Sequence, residues 1–302
     1  MAERRTVAAD VVGSNPTSRP KYLLKLHRAP ADQVPRTPQA PPPSSEIAAA
    51  AASARIFAGT SGWAYPTWKP EFYPASTPTK KFLEYYSTQL SSVEVNYTFR
   101  ALPTTKMIED WLALSQPFFR FSFKAPQRIT HIKRLANCAD DVAFLLSVLE
   151  PVRQAGKLGL ILFQLPPNLR ADRARLTTFL EAPALGVAGS PPIAFEFRHE
   201  SWFGEEIYSI LRTHNAALCI AESDDLATPE VHTAATHTSF RLRRTGAYAP
   251  GEISAFVQRF LVLSKARDVY IYFKHEDEPS GALNAVSFLA EVASHIQEAG
   301  RR

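Results

Sequence analysis

The chain has 302 residues, of which 45% are hydrophobic, so it can bury one large core or two modest ones. Its two cysteines, Cys138 and Cys219, form no CxxC pattern, and no apolar run approaches roughly 20 residues, which argues against a disulfide framework, a structural zinc site and a membrane helix. The formal net charge is +5, but residues 1–54 carry +3 of it, from seven Lys or Arg against four Asp or Glu, so bulk charge gives little support for a polyanionic partner.

Residues 1–54 precede the first regular pattern. They hold PRTPQAPPPSS (35–45) and an alanine run, a composition that predicts a disordered Pro/Ala-rich tail and no secretory signal, and hence a cytoplasmic protein. An alternative is a start codon assigned too far upstream, because the codons for 13–16 are compatible with the conserved arm of a transfer-RNA gene. We expect residues 55–302 to form a single domain.

From residue 55 onward, strand-like runs alternate with amphipathic helical patterns. The runs are rich in β-branched and aromatic residues and bounded by Gly, Pro, Ser or Asn. The predicted strands are 55–61, 92–99, 119–126, 158–166, 192–199, 216–223, 238–245 and 268–276. The predicted helices are 80–90, 105–114, 141–156, 173–182, 205–215, 253–266 and 282–296.

Eight strands joined mainly by helices predict parallel pairing, because a crossover helix returns the chain to the same edge. This number of units favours a closed TIM-type (β/α)₈ barrel. A dinucleotide-binding sheet is disfavoured, since no GxGxxG or GxxxxGK[ST] follows any strand. An antiparallel sheet with one solvent-exposed face would also show alternating apolar and polar residues, but it requires hairpins rather than helical connections.

Side chains alternate between two faces along each predicted strand. In the fifth strand, Ile193, Phe195 and Phe197 share one face, and Glu196 and Arg198 share the other. In a barrel, the apolar face packs on the helices and the mixed face lines the interior, with its charges at the carboxyl end, where such barrels carry active sites. The side chains expected to converge there are Glu94, Asn96, Lys124, Gln164, Glu196, Arg198, Glu222, Asp224, Arg241 and Lys274.

Six long blocks of the chain resemble the YecE-like family, domain of unknown function 72. The resemblance runs in order from about residue 55 to 298, and it implies a TIM-type barrel without implying a reaction. The blocks are GTSGWAYPTWKPEFYP (59–74), LEYYSTQLSSVEVNYTFRALP (83–103), FRFSFKAPQRITH (119–131), LGLILFQLPPNL (158–169), FEFRHESWF (195–203) and VYIYFKHEDEPSGALNA (269–285).

The chain departs from the family pattern at three strand ends. Strand six ends in AESDD, where the family pattern has an aspartate. Strand seven carries Arg243 and Arg244 in place of a histidine-glycine pair. Strand eight ends in Lys274 and His275 rather than in paired asparagines. These departures make the predicted pocket more cationic.

Glu196 and Glu94 are the candidate acid/base pair, because two carboxylates in one dry pocket push one pKa upward. The alternative is a structural role, with Glu196 neutralised by Arg198 or Lys124. Lys124 is expected to be a charged group that orients substrate, with a Schiff base as the alternative.

Arg198, Arg241 and Lys274 form the predicted anion-binding set, because guanidinium groups match phosphate or carboxylate. The alternative is internal neutralisation of the acids. Gln164 is expected to be a hydrogen-bonding side chain held by the stiff turn Leu165-Pro166-Pro167.

Aromatic and histidine side chains near the predicted mouth complete the candidates. Trp63 and Trp202 could stack on a ligand or pack the first loop, whereas packing is favoured for Trp68 and Tyr73. His199 is expected to form hydrogen bonds at the strand end. A metal site of His199 with Glu222 and Asp224 lacks any HExxH-like spacing, so no metal ligand is assigned.

The sequence predicts a barrel enzyme of the hydrolase, lyase or isomerase type that uses acid/base chemistry on a small polar or anionic ligand, phosphorylated or sugar-like. A nucleic-acid-binding or nucleic-acid-processing barrel is one alternative, and a ligand-binding protein without turnover is another. No membrane partner is expected. The sequence assigns neither a cofactor nor an oligomeric state.

Overall fold

The structure, a computed structural model, describes residues 45–186, 189–222, 226–244, 247–274 and 278–301. Most of the predicted tail therefore lies outside the described residues, and so does Asp224.

The described residues contain eight strands and eight α-helices, joined by short helical turns and loops. Every predicted strand and helix is present; the helix 105–114 has the predicted bounds, and the other elements differ at one or both ends. The strands are β1 Ile56–Thr60, β2 Ser92–Val95, β3 Arg120–Lys124, β4 Leu158–Gln164, β5 Ile193–Glu196, β6 Ala217–Glu222, β7 His237–Leu242 and β8 Asp268–Phe273. The helices are α1 Ser45–Ser53, α2 Phe82–Gln89, α3 Thr105–Leu114, α4 Ala139–Gln154, α5 Arg173–Leu180, α6 Glu205–Thr213, α7 Pro250–Ser264 and α8 Ser280–Gly300.

All strand pairs are parallel, in the order β1-β8-β7-β6-β5-β4-β3-β2. Helices α2 to α6 connect successive strands up to β6, and α7 connects β7 to β8. Local signals start two of these helices: the Thr104 side chain accepts a hydrogen bond from the Met107 N–H, and the Asp172 side chain accepts one from the Arg175 N–H. The predicted TIM-type barrel is confirmed.

The barrel closes between β1 and β2 without a strand ladder, through one backbone hydrogen bond, from the Ser91 N–H to the Ala58 carbonyl oxygen at 3.2 Å, and through side chains. The Ala58 N–H donates to Ser91 Oγ at 2.9 Å, and the Thr60 N–H donates to the Tyr86 hydroxyl at 2.8 Å. Tyr86 in turn lies 3.2 Å from the Ser92 carbonyl oxygen. A Cβ at Gly59 would lie 1.8 Å from the same oxygen, so only glycine permits this approach of the two strands.

The strands separate two apolar layers, as their alternation predicts. Val93, Phe121 and Phe195 belong to the large core between the strands and the helices. A smaller core fills the interior of the barrel, which we call the lumen, with Phe57 and Tyr270 among its residues. The lumen is therefore packed toward the amino ends of the strands, and its polar side chains lie toward the carboxyl ends.

The alanine run differs from its sequence interpretation. Residues 45–53, assigned to the disordered tail, form helix α1, in which Ala48 and Ala51 are fully buried. The small side chains let α1 contact α8, α2 and β1, and Ala52 packs against the lumen core. Tertiary packing thus orders a segment whose composition alone predicts no fold.

In the described ranges, no helix combines the length and the apolar character required to cross a membrane.

Candidate functional site

Polar side chains converge at the carboxyl end of the lumen. Each extends from a position whose alternation predicts an inward direction, and parallel pairing brings these strand ends to one level, as in the register of Gln164 with Glu196. We call this set the lumen cluster. It comprises Ser61, Glu94, Asn96, Lys124, Gln164, Glu196, Arg198, Arg241 and Arg243.

Arg241 on β7 is the centre of the lumen cluster. Its side chain is 1% exposed and forms ion pairs with Glu196 through Nη1 and with Glu94 through Nη2, the latter at 2.7 Å. Burial lowers the pKa of Arg241, but the two carboxylates outweigh burial and raise it above its ordinary value. Both Nη atoms of the guanidinium are therefore committed inside the protein, whereas the buried Nε has no partner among the described residues.

Glu196 is saturated by hydrogen-bond donors. Its Oε1 accepts from Gln164 Nε2 at 2.7 Å and from Arg198 Nε at 2.9 Å, and its Oε2 accepts from Arg241. Burial raises the pKa of Glu196, but Arg241, Arg198 and the Gln164 hydrogen bond outweigh burial and lower it to about 2. The geometry fits the alternative in which neighbouring cations neutralise Glu196, here Arg198 and Arg241, and Glu196 stays ionised at neutral pH.

Glu94 on β2 is fully buried but only half satisfied. Its Oε1 accepts from Ser61 Oγ at 2.7 Å and from Arg241 Nη2. Its Oε2 is buried and has no hydrogen-bond partner among the described residues. Asn96, two residues further on, repeats this pattern: Nδ2 lies 3.5 Å from the Ser61 carbonyl oxygen, and the buried Oδ1 has no partner among the same residues.

Lys124 ends β3 at the carboxyl side of the lumen. Its Nζ lies 4.3 Å from the centre of the Phe99 ring and forms no hydrogen bond or ion pair within the described part of the chain. Burial lowers the pKa of Lys124 to about 8, helped by Arg241 and opposed by Glu94 and Glu196. Near neutral pH this lysine can therefore both give up and take a proton.

Arg198 and Arg243 follow Glu196 and Arg241 by two residues, so they lie on the carboxyl side of the central ion pairs. The Arg198 side chain is 42% exposed, and only its Nε is used, by Glu196. Arg243, two residues after Arg241, forms no side-chain hydrogen bond or ion pair with any described residue. Burial and then Arg241 lower the pKa of Arg243. Both guanidinium groups can therefore donate hydrogen bonds to an anion that enters from solvent.

The predicted anion-binding set is corrected in two places. Arg241 neutralises the pocket acids, so it is not available to an external anion. Lys274 lines a small cavity with Leu242, Arg244 and Gly281. Arg243, rather than Arg241, is therefore the candidate for binding an external anion.

The aromatic candidates divide by burial. Trp202 is fully buried, stacks on Phe197 with ring centres 4.5 Å apart, and donates from Nε1 to the Leu169 carbonyl oxygen at 2.8 Å. It is a core residue, so its predicted ligand contact is wrong. Trp63 is partly exposed and packs edge-on against Trp111. Trp68 and Tyr73 are buried, as packing of the first loop predicts.

His199 and Glu222 have separate local roles. His199 Nδ1 accepts from the Ser201 N–H at 3.1 Å, which confirms hydrogen bonding at the strand end. Glu222 faces away from the lumen and accepts from the Tyr248 hydroxyl at 2.6 Å. The described residues contain no group of three His, Cys, Asp or Glu side chains arranged to hold a metal ion.

Sequence reasoning left Ser61, Phe99 and Arg243 out of the candidate set. The alternation of strand one through Phe57 and Gly59 also predicts an inward Ser61. Arg243 has the same parity as Arg241. The position of Phe99 could not be predicted from strand alternation, because residues 97–99 form a 3₁₀ turn rather than the end of a strand.

Comparisons with known proteins agree with the fold and the sequence blocks. The UPF0759 protein YunF of Bacillus subtilis (strain 168) is 30% identical over 158 residues, 51% of this chain and 54% of that protein. The UPF0759 protein YecE of Escherichia coli (strain K12) is 29% identical over 160 residues, 52% of this chain and 54% of that protein. The chain thus spans about half the length of the curated relatives it matches.

Solved structures match over more of the chain. A DUF72 family protein from Thermotoga maritima MSB8 superimposes with a TM-score of 0.67 at 24% identity, covering 78% of this chain and 98% of that one. One from Enterococcus faecalis V583 gives 0.59 at 15% identity, covering 82% and 96%. These likenesses bear on the fold alone. The family model described as "Protein of unknown function DUF72" matches residues 57–301, so the resemblance predicted from the sequence is confirmed and the chain belongs to the DUF72 family.

Proposed function

We propose that this protein is an enzyme that acts by acid/base chemistry on a small anionic substrate at the carboxyl end of the barrel. One observation carries the proposal: Lys124 and Arg243 extend into the lumen without an ion pair to any described residue, next to the Glu94–Arg241–Glu196 ion-pair network. Partly buried cations without partners are destabilising, and an anionic ligand removes that cost.

Lys124 is the proton-transferring group in this proposal. A general acid or base works best when its pKa lies near the working pH, and the lowered pKa of about 8 meets that condition. Glu196 is not the general acid, because its pKa of about 2 leaves it no proton to donate at neutral pH. Glu94 stays a candidate through its free oxygen.

Arg198 and Arg243 hold the negative charge of the substrate. Their guanidinium groups offer planar donor pairs that suit phosphate or carboxylate. Gln164, Glu196 and Arg241 act as positioning residues, because their mutual hydrogen bonds fix the floor on which the substrate rests.

Sulfate binding, measured by thermal shift at several pH values between 6.5 and 9.5, tests the anion part of this proposal. Sulfate keeps its charge in this range, so its stabilising effect should fall as pH rises through about 8, where Lys124 loses its proton. Lys124→Met should remove the pH dependence, and Arg243→Met should weaken sulfate binding about tenfold or more. Lys265→Met is the control, because Lys265 is exposed and follows α7 at the opposite end of the barrel.

Nuclear magnetic resonance of sugar phosphates and small carboxylates incubated with the protein in deuterated water tests turnover. We expect deuterium uptake or a new product for at least one compound, and its loss in Lys124→Met. Anion binding without any such change would instead support a ligand-binding protein without turnover. No anion binding at low salt would refute the proposal.

A nucleic-acid partner is the second candidate, and Tyr97 is the observation that favours it. Its side chain is 50% exposed beside the lumen cluster, with exposed Arg100 three residues later, a combination suited to stacking a base near a phosphate. A salt-sensitive electrophoretic shift with a single-stranded oligonucleotide, lost in Tyr97→Ala but kept in Tyr85→Ala, would support this candidate. No shift at low salt would count against it.

A further inference from the structure

Two buried oxygen atoms of the lumen cluster lack a hydrogen-bond donor among the described residues. They are Glu94 Oε2 and Asn96 Oδ1. A buried acceptor left without a donor is destabilising, and native proteins leave few of them. Glu94 itself is fully buried, and its other oxygen is held by Ser61 and Arg241.

The two oxygens belong to one corner of the lumen cluster. Glu94 lies in β2, and Asn96 directly follows the carboxyl end of that strand. Both residues contact Ser61, Glu94 through the serine hydroxyl and Asn96 through the serine carbonyl oxygen. A single ligand can therefore meet both acceptors.

The charges nearby decide which kind of donor suits this corner. Glu94 and Glu196 carry two negative charges, whereas Lys124, Arg198, Arg241 and Arg243 supply the cationic side chains of the cluster. An ammonium group placed at Glu94 would meet Arg241 and Lys124 at close range, and like charges repel strongly where water is scarce. Neutral hydroxyl groups supply donors without that repulsion.

We infer that Glu94 and Asn96 bind hydroxyl groups of the substrate while Arg198 and Arg243 bind its anionic group, so that the substrate class is a polyhydroxylated anion such as a sugar or polyol phosphate. This inference rests on the proposed function, because it assigns a second contact to the same ligand. It assigns Glu94 and Asn96 as specificity-determining residues. A site built to hydrogen-bond a hydroxyl discriminates strongly against the analogue that lacks it.

Two simple phosphates test this inference by isothermal titration calorimetry on the full chain. Glycerol 3-phosphate carries two adjacent hydroxyl groups, and propyl phosphate carries none on the same carbon skeleton. We expect the wild-type protein to bind glycerol 3-phosphate about tenfold or more tightly than propyl phosphate.

Two variants locate the discrimination. Asn96→Ala removes one acceptor, and Glu94→Gln places an NH₂ donor where the free oxygen lies. Each should lower the ratio of the two affinities toward one while propyl phosphate still binds. Where Glu94→Gln fails to fold because Arg241 loses an ion pair, Asn96→Ala alone decides the question. Arg243→Met should weaken both phosphates equally, and Lys265→Met should change neither.

The outcomes separate this inference from the proposed function. Equal wild-type binding of the two phosphates would overturn the inference and leave anion binding intact. A wild-type preference that survives Asn96→Ala would also overturn it, because the hydroxyl groups would then be bound elsewhere. Failure of both phosphates and of sulfate to bind would refute the proposed function itself.

Discussion

At the scale of single residues, hydrogen-bond donors decide what a buried carboxylate can do. Glu196 and Glu94 share one guanidinium, yet Glu196 has donors on both oxygens and Glu94 on only one. The first therefore stays an anion at neutral pH. The second keeps a free oxygen for a ligand, so the two carboxylates of the cluster are not equivalent.

Glu196→Gln should destabilise the protein by about 3–5 kcal/mol at pH 7, because it leaves part of the buried Arg241 charge uncompensated. The folded pKa of Glu196 is about 2, below its ordinary 4.5, so its stabilising contribution is complete above pH 4.5 and is lost as pH falls toward 2. The wild type should therefore lose part of its free energy of unfolding in this window, and Glu196→Gln should lack that component.

Urea unfolding at pH 7, 4 and 3 measures both effects. Exposed Glu200→Gln is the control and should behave like the wild type. Identical acid sensitivity of the wild type and Glu196→Gln would show that Glu196 is not the anion described here.

At the scale of elements, the junction of β1 and β2 is the special feature of the barrel. Every other neighbouring strand pair is joined by a parallel ladder, whereas these two strands are joined through Ser91 and Tyr86. The junction lies directly below Ser61 and Glu94. Its integrity therefore sets the position of the free acceptors in the lumen cluster.

Tyr86→Phe should lower the free energy of unfolding by about 1–3 kcal/mol, because the buried Thr60 N–H loses its acceptor. Tyr85→Phe is the matched control, since Tyr85 lies in the same helix and its hydroxyl makes no hydrogen bond with the described residues. Guanidinium unfolding of the two variants measures the difference. An equal effect would mean that the Tyr86 hydroxyl does not stabilise the junction.

At the scale of the whole molecule, α1 completes the barrel at the end opposite the lumen cluster. Its alanines pack against α8, α2 and β1, and Ala52 reaches the lumen core. Small side chains permit this close packing, although they contribute little apolar area.

Ala51→Glu should destabilise the full chain by about 3 kcal/mol or more, because a carboxylate would replace a fully buried methyl group. Ser53→Glu, at an exposed position of the same helix, should have little effect. Thermal unfolding of both variants measures the contrast. Equal stability of the two would mean that α1 is not docked as described.

Sequence reasoning reached the barrel and most of the lumen cluster. Alternation separated Glu94, Lys124 and Arg241 from their apolar neighbours, and parallel pairing placed them at one end. It failed at Trp202, whose position after β5 suggested the mouth, because a 3₁₀ turn directs the ring into the core. It also misjudged the alanine run, because helical docking depends on partners far away in the chain.

The sequence by itself determined the order of strands and helices, the family and the inward direction of the site residues, because these follow from period-two geometry and local patterns. Only the tertiary structure decided which groups are paired. Glu94, Glu196 and Arg241 come from three strands, and the approach of their atoms depends on how those strands pack. Charge state and free hydrogen-bonding capacity follow from such contacts, so the lowered pKa of Lys124 and, among the described residues, the unpaired Arg243 and the free oxygen of Glu94 were recognised only there.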